Sequence, residues 1–342
     1  MGGKKKGAEI IVCVQDYESE SKFASILMNR REKKAVKQFL FDIYADSAIR
    51  SGYRMERSYF CPLCETQFHR VEDLTLDHAP PEALNVPSIK VLTCRRCNGG
   101  AGVAQNHLLQ AHRLYQLNNS GLAEPFSIRV TLGTLTVNAR VWKDANGIQA
   151  DPSSKHNKPG AVEAFQRAYL LAEESAKITL SSLVHFNQSW IRWSLVREAY
   201  LLLFYHWGYW LLKTGWAKEV QELLKTPETS LPRGCFVRLP PQKYNLSPTQ
   251  GEFLTARLPS QQSCWLVPIV DDCYAVMPSD DRNQKLSSLW EEMTTVESGD
   301  LPLTNCVKIL VNRDVKNSHL WKVSQHEDST ATPDFWLEIT PN

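Results

Sequence analysis

The sequence predicts an α+β protein: an amino-terminal helix leads into a small zinc-stapled module, and a separate α+β domain follows. Three observations predict it. Two CxxC pairs, Cys61/Cys64 and Cys94/Cys97, are separated by 29 residues. A helix-period apolar pattern precedes them, and strand-like alternation mixed with apolar helical runs follows them. A chain of 342 residues, 43% apolar and 22% charged, has room for two domains of ordinary globular composition.

In chain order, residues 9–14 (EIIVCV) read as a short strand. Residues 20–49 read as a helix, with Val36, Phe39, Leu40, Ile43 and Tyr44 on one face at three-and-four spacing. A second helix is expected over 98–117, stopped by Asn118-Asn119-Ser120-Gly121. The domain boundary is placed there, giving 1–120, with the zinc motif in 58–117, and 121–342. Residues 126–150 alternate and turn at Asn146-Gly147, as a hairpin does. After a polar loop at 151–160, helices are expected near 161–180, 188–213 and 216–225. The second carries Trp190, Trp193, Tyr200, Phe204, Tyr205, Trp207, Tyr209 and Trp210. Such a set suits either base stacking or a large core, and core is the reading preferred. Its most apolar stretch, 199–212, is too short for the ~20 residues of a membrane span. Beyond Pro232 short strands are expected over 235–239, 264–270, 273–277, 307–311 and 320–323.

Each CxxC turn aims two thiolates at one cation, and two turns complete a closed tetrahedral zinc site. The other five cysteines are scattered without pairing and no signal peptide is read, which suits a reducing compartment, where such turns bind metal. Between the pairs stands Leu76-Asp77-His78-Ala79-Pro80-Pro81, an apolar approach ending at a proline break. An imidazole there can take a proton from water near neutral pH. The Asp77 carboxylate and the Asn98 amide oxygen are hard ligands suited to a hydrated Mg²⁺ or Mn²⁺.

The pattern CxxC…DHxxP…CxxCN resembles the HNH endonucleases of the ββα-metal fold, over about 50 residues of this chain. The resemblance implies a metal-dependent nuclease that hydrolyses DNA phosphodiester bonds. In it His78 is the general base, Asp77 and Asn98 hold the catalytic Mg²⁺ or Mn²⁺, and Asn98 opens the closing helix. Gly99, Gly100 and Gly102 would let the backbone approach a phosphate. Two departures stand out. Many members carry an Asn on the second strand that braces the loop holding the histidine, and here the nearest is Asn85. His107 lies nine residues beyond Asn98, and reads equally as a third metal ligand, a phosphate contact or a helix-surface histidine. His69 and His112 read as ordinary surface or packing histidines.

Net charge is only +2, which excludes a generally basic nucleic-acid coat. Residues 1–113 hold 17 Lys/Arg against 13 Asp/Glu, clustered at Lys4 to Lys6, Arg30-Arg31, Lys33-Lys34 and Arg95-Arg96. Arg95 and Arg96 are therefore candidate phosphate contacts. The expected setting is cytoplasmic, without a membrane. By resemblance of architecture the role is prokaryotic defence, restriction or mobile-element biology. The expected partner is DNA, with RNA also open. The carboxyl-terminal half would take a partner protein or a regulatory signal, and double-strand cleavage would need a homodimer or successive nicks. A different class remains as the alternative: a zinc module that binds nucleic acid or protein without cutting.

Overall fold

In a computed structural model, the described residues are 30–119, 125–144, 147–152, 154–172, 176–181, 187–227, 229–239, 252–258, 260, 262–270, 273–279 and 285–295, with backbone strands at 303–310, 321–325 and 336–337. The strand expected at 9–14 and the start of the first helix lie outside them. Helix α1 (Arg30–Arg50) buries Leu40, Phe41, Tyr44, Ala45 and Ala48. That face is rotated from the expected one and leaves Phe39 46% exposed.

Strands β1 (Tyr59–Phe60) and β2 (Gln67–Phe68) bracket the first cysteine turn. Strands β3 (Leu74–Ala79) and β4 (Ile89–Cys94) form an antiparallel hairpin, and α2 (Arg95–Gly99) follows β4 without a gap. Asn98 thus sits late in α2 rather than opening a helix. Cys94 caps it, its sulfur accepting from the Cys97 amide. After a break at Gly100-Ala101, α3 (Gly102–Asn119) continues.

A four-stranded antiparallel sheet comes next: β5 (Phe126–Leu132), β6 (Leu135–Asp144), β7 (Gly147–Pro152) and β8 (Ile178–Ser181), in the order β7-β6-β5-β8. Helix α4 (Ala161–Leu170) lies on it. The helix expected to run to 180 stops early, since Ile178 to Ser181 pair with β5 instead, as suits an Ile-Thr segment. Helix α5 (Gln188–Trp207) is capped by the Asn187 side chain, and α6 (Tyr209–Leu212) and α7 (Gly215–Leu224) follow.

The remainder is an antiparallel sheet in the order β15-β14-β13-β10-β11-β12-β9. Its strands are β9 (Phe236–Arg238), β10 (Glu252–Arg257), β11 (Ser263–Val270), β12 (Cys273–Pro278), β13 (Leu303–Leu310), β14 (Trp321–Gln325) and β15 (Trp336–Leu337). Helix α8 (Leu286–Thr295) packs near β12.

Helix α5 is the hub of the core. One continuous apolar cluster joins α1 and the cysteine-bearing hairpin to α5, α7, α8 and β9 to β12, so burial does not break at residue 120. The β5–β8 sheet has its own smaller cluster with Leu117 and Phe165. Half of the aromatic set on α5 and α6 is buried, namely Trp193, Tyr200, Phe204 and Tyr209, and Trp190, Tyr205 and Trp207 are partly buried against the same core. Gly208, at φ +58° between α5 and α6, lets α1 pass close: a Cβ there would stand 2.8 Å from Ser47 Oγ.

Candidate metal centre and catalytic hairpin

The β1–β2 turn supplies Cys61 and Cys64, the end of β4 supplies Cys94, and α2 supplies Cys97. All four sulfurs lie within 4.8 Å of one another. Cys64 and Cys94 Sγ are 3.8 Å apart, and four zinc–sulfur bonds of about 2.3 Å at tetrahedral angles give an edge of about 3.8 Å. Backbone amides of Cys94 and Cys97 point at the sulfurs of Cys61 and Cys94, each at 3.4 Å, and stabilise thiolate. Hydrogen bonds from the other three cysteines hold Cys64 well below the usual thiol range, and Cys94 is lowered to about 6, first by Cys61. The same bonding drives Cys61 up. Four crowded sulfurs sharing protons in this way could hold a metal such as zinc.

The carboxyl-terminal half grips the first cysteine turn by its backbone. Tyr200 Oη and Gln221 Nε2 donate to the Pro62 carbonyl at 3.2 and 2.7 Å. Tyr209 Oη donates to the Phe60 carbonyl at 2.8 Å and accepts from the Phe60 amide at 2.6 Å.

On the hairpin, Asp77 lies opposite Val91 and His78 opposite Lys90. Strand alternation sends Thr75, Asp77 and Thr93 to one face, and Leu76, His78 and Lys90 to the other. Asp77 is 3% exposed. Its Oδ2 accepts from Thr93 Oγ1 at 3.0 Å and from Nη2 of Arg197 on α5. Arg197 is fully buried and donates through Nη1 to Glu198 Oε1 at 2.8 Å. That oxygen also accepts from Gln105 Nε2 on α3, at 3.0 Å. Burial pushes the Glu198 carboxyl up to about 7 against the pull of Arg197. Burial thus favours the neutral form of Glu198, while the guanidinium beside it favours the charged one.

Asn98 reaches back to β3, its Nδ2 donating to Thr75 Oγ1 at 3.0 Å and to the Leu76 carbonyl at 3.2 Å. The hairpin and α2 are thereby locked together beside Asp77-His78. The His78 side chain is 28% exposed, with Nε2 3.8 Å from Glu82 Oε2. Burial lowers its pKa against the pull of Glu82, and the charges of Lys90 and Lys33 add to the lowering. It is therefore a neutral base at pH 7. In the β3–β4 connection, Leu84 is 2% exposed within the core, and Asn85 turns the chain at φ +55°.

The structure does not bring His107 to this place. Its Nδ1 accepts from the Asn187 amide at 3.3 Å, and its ring stands edge-on to Trp190. Arg95 is exposed and donates to the Glu72 carbonyl at 3.2 Å, while Arg96 is exposed beside the Cys64 thiolate, which raises its pKa. Among the glycines after Asn98, a Cβ at Gly99 or Gly102 would meet nothing, and one at Gly100 would stand 3.2 Å from the Arg96 carbonyl. His69 is exposed and His112 buried, as surface and packing histidines are.

Sequence reasoning missed Arg197, Glu198, Thr75, Thr93 and Lys90. The first two carried a signal: they are adjacent charges within the run from Trp193 to Phe204, which is otherwise uncharged. Charged side chains are seldom buried unless paired.

A catalytic divalent cation does not fit the residues as they stand. The only group of three or more His, Cys, Asp or Glu among the described residues that could hold an ion is the four-cysteine cluster. Asp77 already meets a cationic guanidinium. A divalent ion about 5 Å from a guanidinium is repelled by roughly 7 kcal/mol even at an effective dielectric of ~20. One carboxylate shared with that guanidinium offers the ion little net attraction.

No family model, curated protein or solved structure matches this chain. No helix among the described residues is long and apolar enough to cross a membrane.

Proposed function

We propose that the chain is a zinc-stapled phosphodiesterase of the HNH type acting on nucleic acid, with His78 as general base. The observation that carries this reading is the packing of α2 on the β3–β4 hairpin. Asn98 is tied to Thr75 and Leu76, two residues and one residue before Asp77, with His78 next along the strand. His78 is neutral at pH 7 and partly open to solvent, as a base that takes a proton from water must be. The oxygen of that water bonds to phosphorus, its proton passes to His78, and the bond to the 3′ oxygen breaks as that oxygen takes a proton from solvent and leaves as the alcohol. Lys33 and Lys90, whose charges act on His78, are placed to attract the phosphate backbone to this face.

A second reading is favoured by the Asp77–Arg197 pair: a zinc module that binds nucleic acid or protein without cutting. Plasmid nicking separates the two. Zinc-retaining protein is assayed with EDTA and with added Mg²⁺ or Mn²⁺, beside His78→Ala. Nicking lost in His78→Ala supports the first reading under either condition. Nicking by neither protein, with DNA still bound, leaves the second.

A further inference from the structure

We infer that Arg197 stands where nucleases of this type would place their divalent cation, so that zinc in the cysteine cage is the one metal this hairpin takes up. The inference builds on the HNH reading only for which carboxylate and amide would face a cation.

Four observations converge on it. The guanidinium bridges two carboxyl groups from different parts of the chain, Asp77 on β3 and Glu198 on α5, through separate nitrogens. Two carboxyls closing on one positive centre is the arrangement a divalent ion would otherwise complete. Arg197 is fully buried, and Glu198 is as well. Helix α5 is the hub of the apolar core, with nearly every residue from Trp193 to Phe204 buried, so Arg197 cannot swing out as a surface arginine can. Lastly, Arg197 Nε and Glu198 Oε2 are buried without hydrogen-bond partners. The cluster is thus incompletely satisfied even with Arg197 present, and removing that one positive charge leaves two buried carboxyls facing each other.

A guanidinium supplies a fixed charge and directed donors, but it offers no exchangeable coordination position for water or phosphate. Under the HNH reading, cleavage on this hairpin therefore relies on His78 and the nearby lysines, and chelation of magnesium or manganese leaves it unchanged.

The experiment is a Mn²⁺ titration of the zinc-loaded full chain, followed by electron paramagnetic resonance, on wild type, Arg197→Met and Asp77→Asn. Wild type is expected to leave Mn²⁺ free, or to bind it equally in Asp77→Asn, which places any binding elsewhere. Arg197→Met is expected to gain a Mn²⁺ site, and its melting temperature to rise with Mn²⁺ while that of wild type does not. Mn²⁺ bound by wild type and lost in Asp77→Asn overturns the inference, as does a folded Arg197→Met that binds none. Should Arg197→Met fail to fold, the wild-type and Asp77→Asn pair decides alone. Because no nucleic acid is present, the outcome is independent of the nuclease reading. Absence of cleavage under all conditions removes that reading alone, whereas Asp77-dependent, Mn²⁺-dependent cleavage by wild type removes the inference alone.

Discussion

Asp77 and His78 are neighbours on one strand, yet they occupy opposite environments. Asp77 faces the core, bonded to Thr93 and to a buried arginine from a helix 120 residues away in sequence. His78 faces outward, a quarter exposed, with Glu82 at one side and lysines near it. The strand's two-residue period separates them, and the packing of α5 over one face only makes the separation chemical. A dipeptide that reads as a single catalytic unit is divided into a buried, ion-paired half and a half open to solvent.

The largest perturbation removes the frame that both halves share. Cys97→Ser should release zinc and abolish the cooperative unfolding transition. Structural zinc sites contribute on the order of 10 kcal/mol, and zinc content with circular dichroism reads the loss. Next in size, Arg197→Ala leaves Asp77 and Glu198 buried without their cation. Breaking a buried pair in this way costs about 3–5 kcal/mol, measurable by urea denaturation; wild-type stability in that variant would deny the dry face its structural role. Gly208→Ala should cost roughly 1–3 kcal/mol, since it strains a positive φ and drives a methyl into Ser47, displacing α5 from α1.

The two faces should also titrate with opposite signs. Glu198 has a folded pKa near 7, raised from 4.5, so its contribution is present in acid and lost as pH rises through 7. The His78 pKa is depressed, so its contribution is present above the usual imidazole value and lost as pH falls below it. Glu198→Gln should flatten the alkaline fall of melting temperature, and His78→Gln the acid fall. The smallest effect on stability belongs to His78→Ala, within about 0.5 kcal/mol. Its cleavage rate should nonetheless fall ~100-fold or more under the proposed function. A stability loss like that of Arg197→Ala would erase the contrast between the faces.

Much of the local structure was legible. The CxxC spacing predicted a four-sulfur cluster, and the alternation over 126–150 predicted strands that do form β5 to β7. The density of the apolar aromatic run predicted core, and Trp193, Tyr200, Phe204 and Tyr209 lie in it. Where the reading slipped, a competing contact decided. Ile178 to Ser181 became an edge strand because β5 offered open hydrogen-bonding groups, and Phe39 lost its place in the core to Phe41 and two alanines. His107, equally plausible as a ligand by spacing, was claimed by Asn187 and Trp190.

What the sequence determined by itself was therefore the short-range chemistry: thiols two residues apart, an imidazole beside a carboxylate, periods of two and of three to four. Those follow from backbone geometry within a few residues of each position. Only the tertiary structure decided that α5 covers the Asp77 face and leaves the His78 face open. The charge meeting Asp77 comes from 120 positions away, and burial, which sets the strength of that meeting, is a property of the whole core.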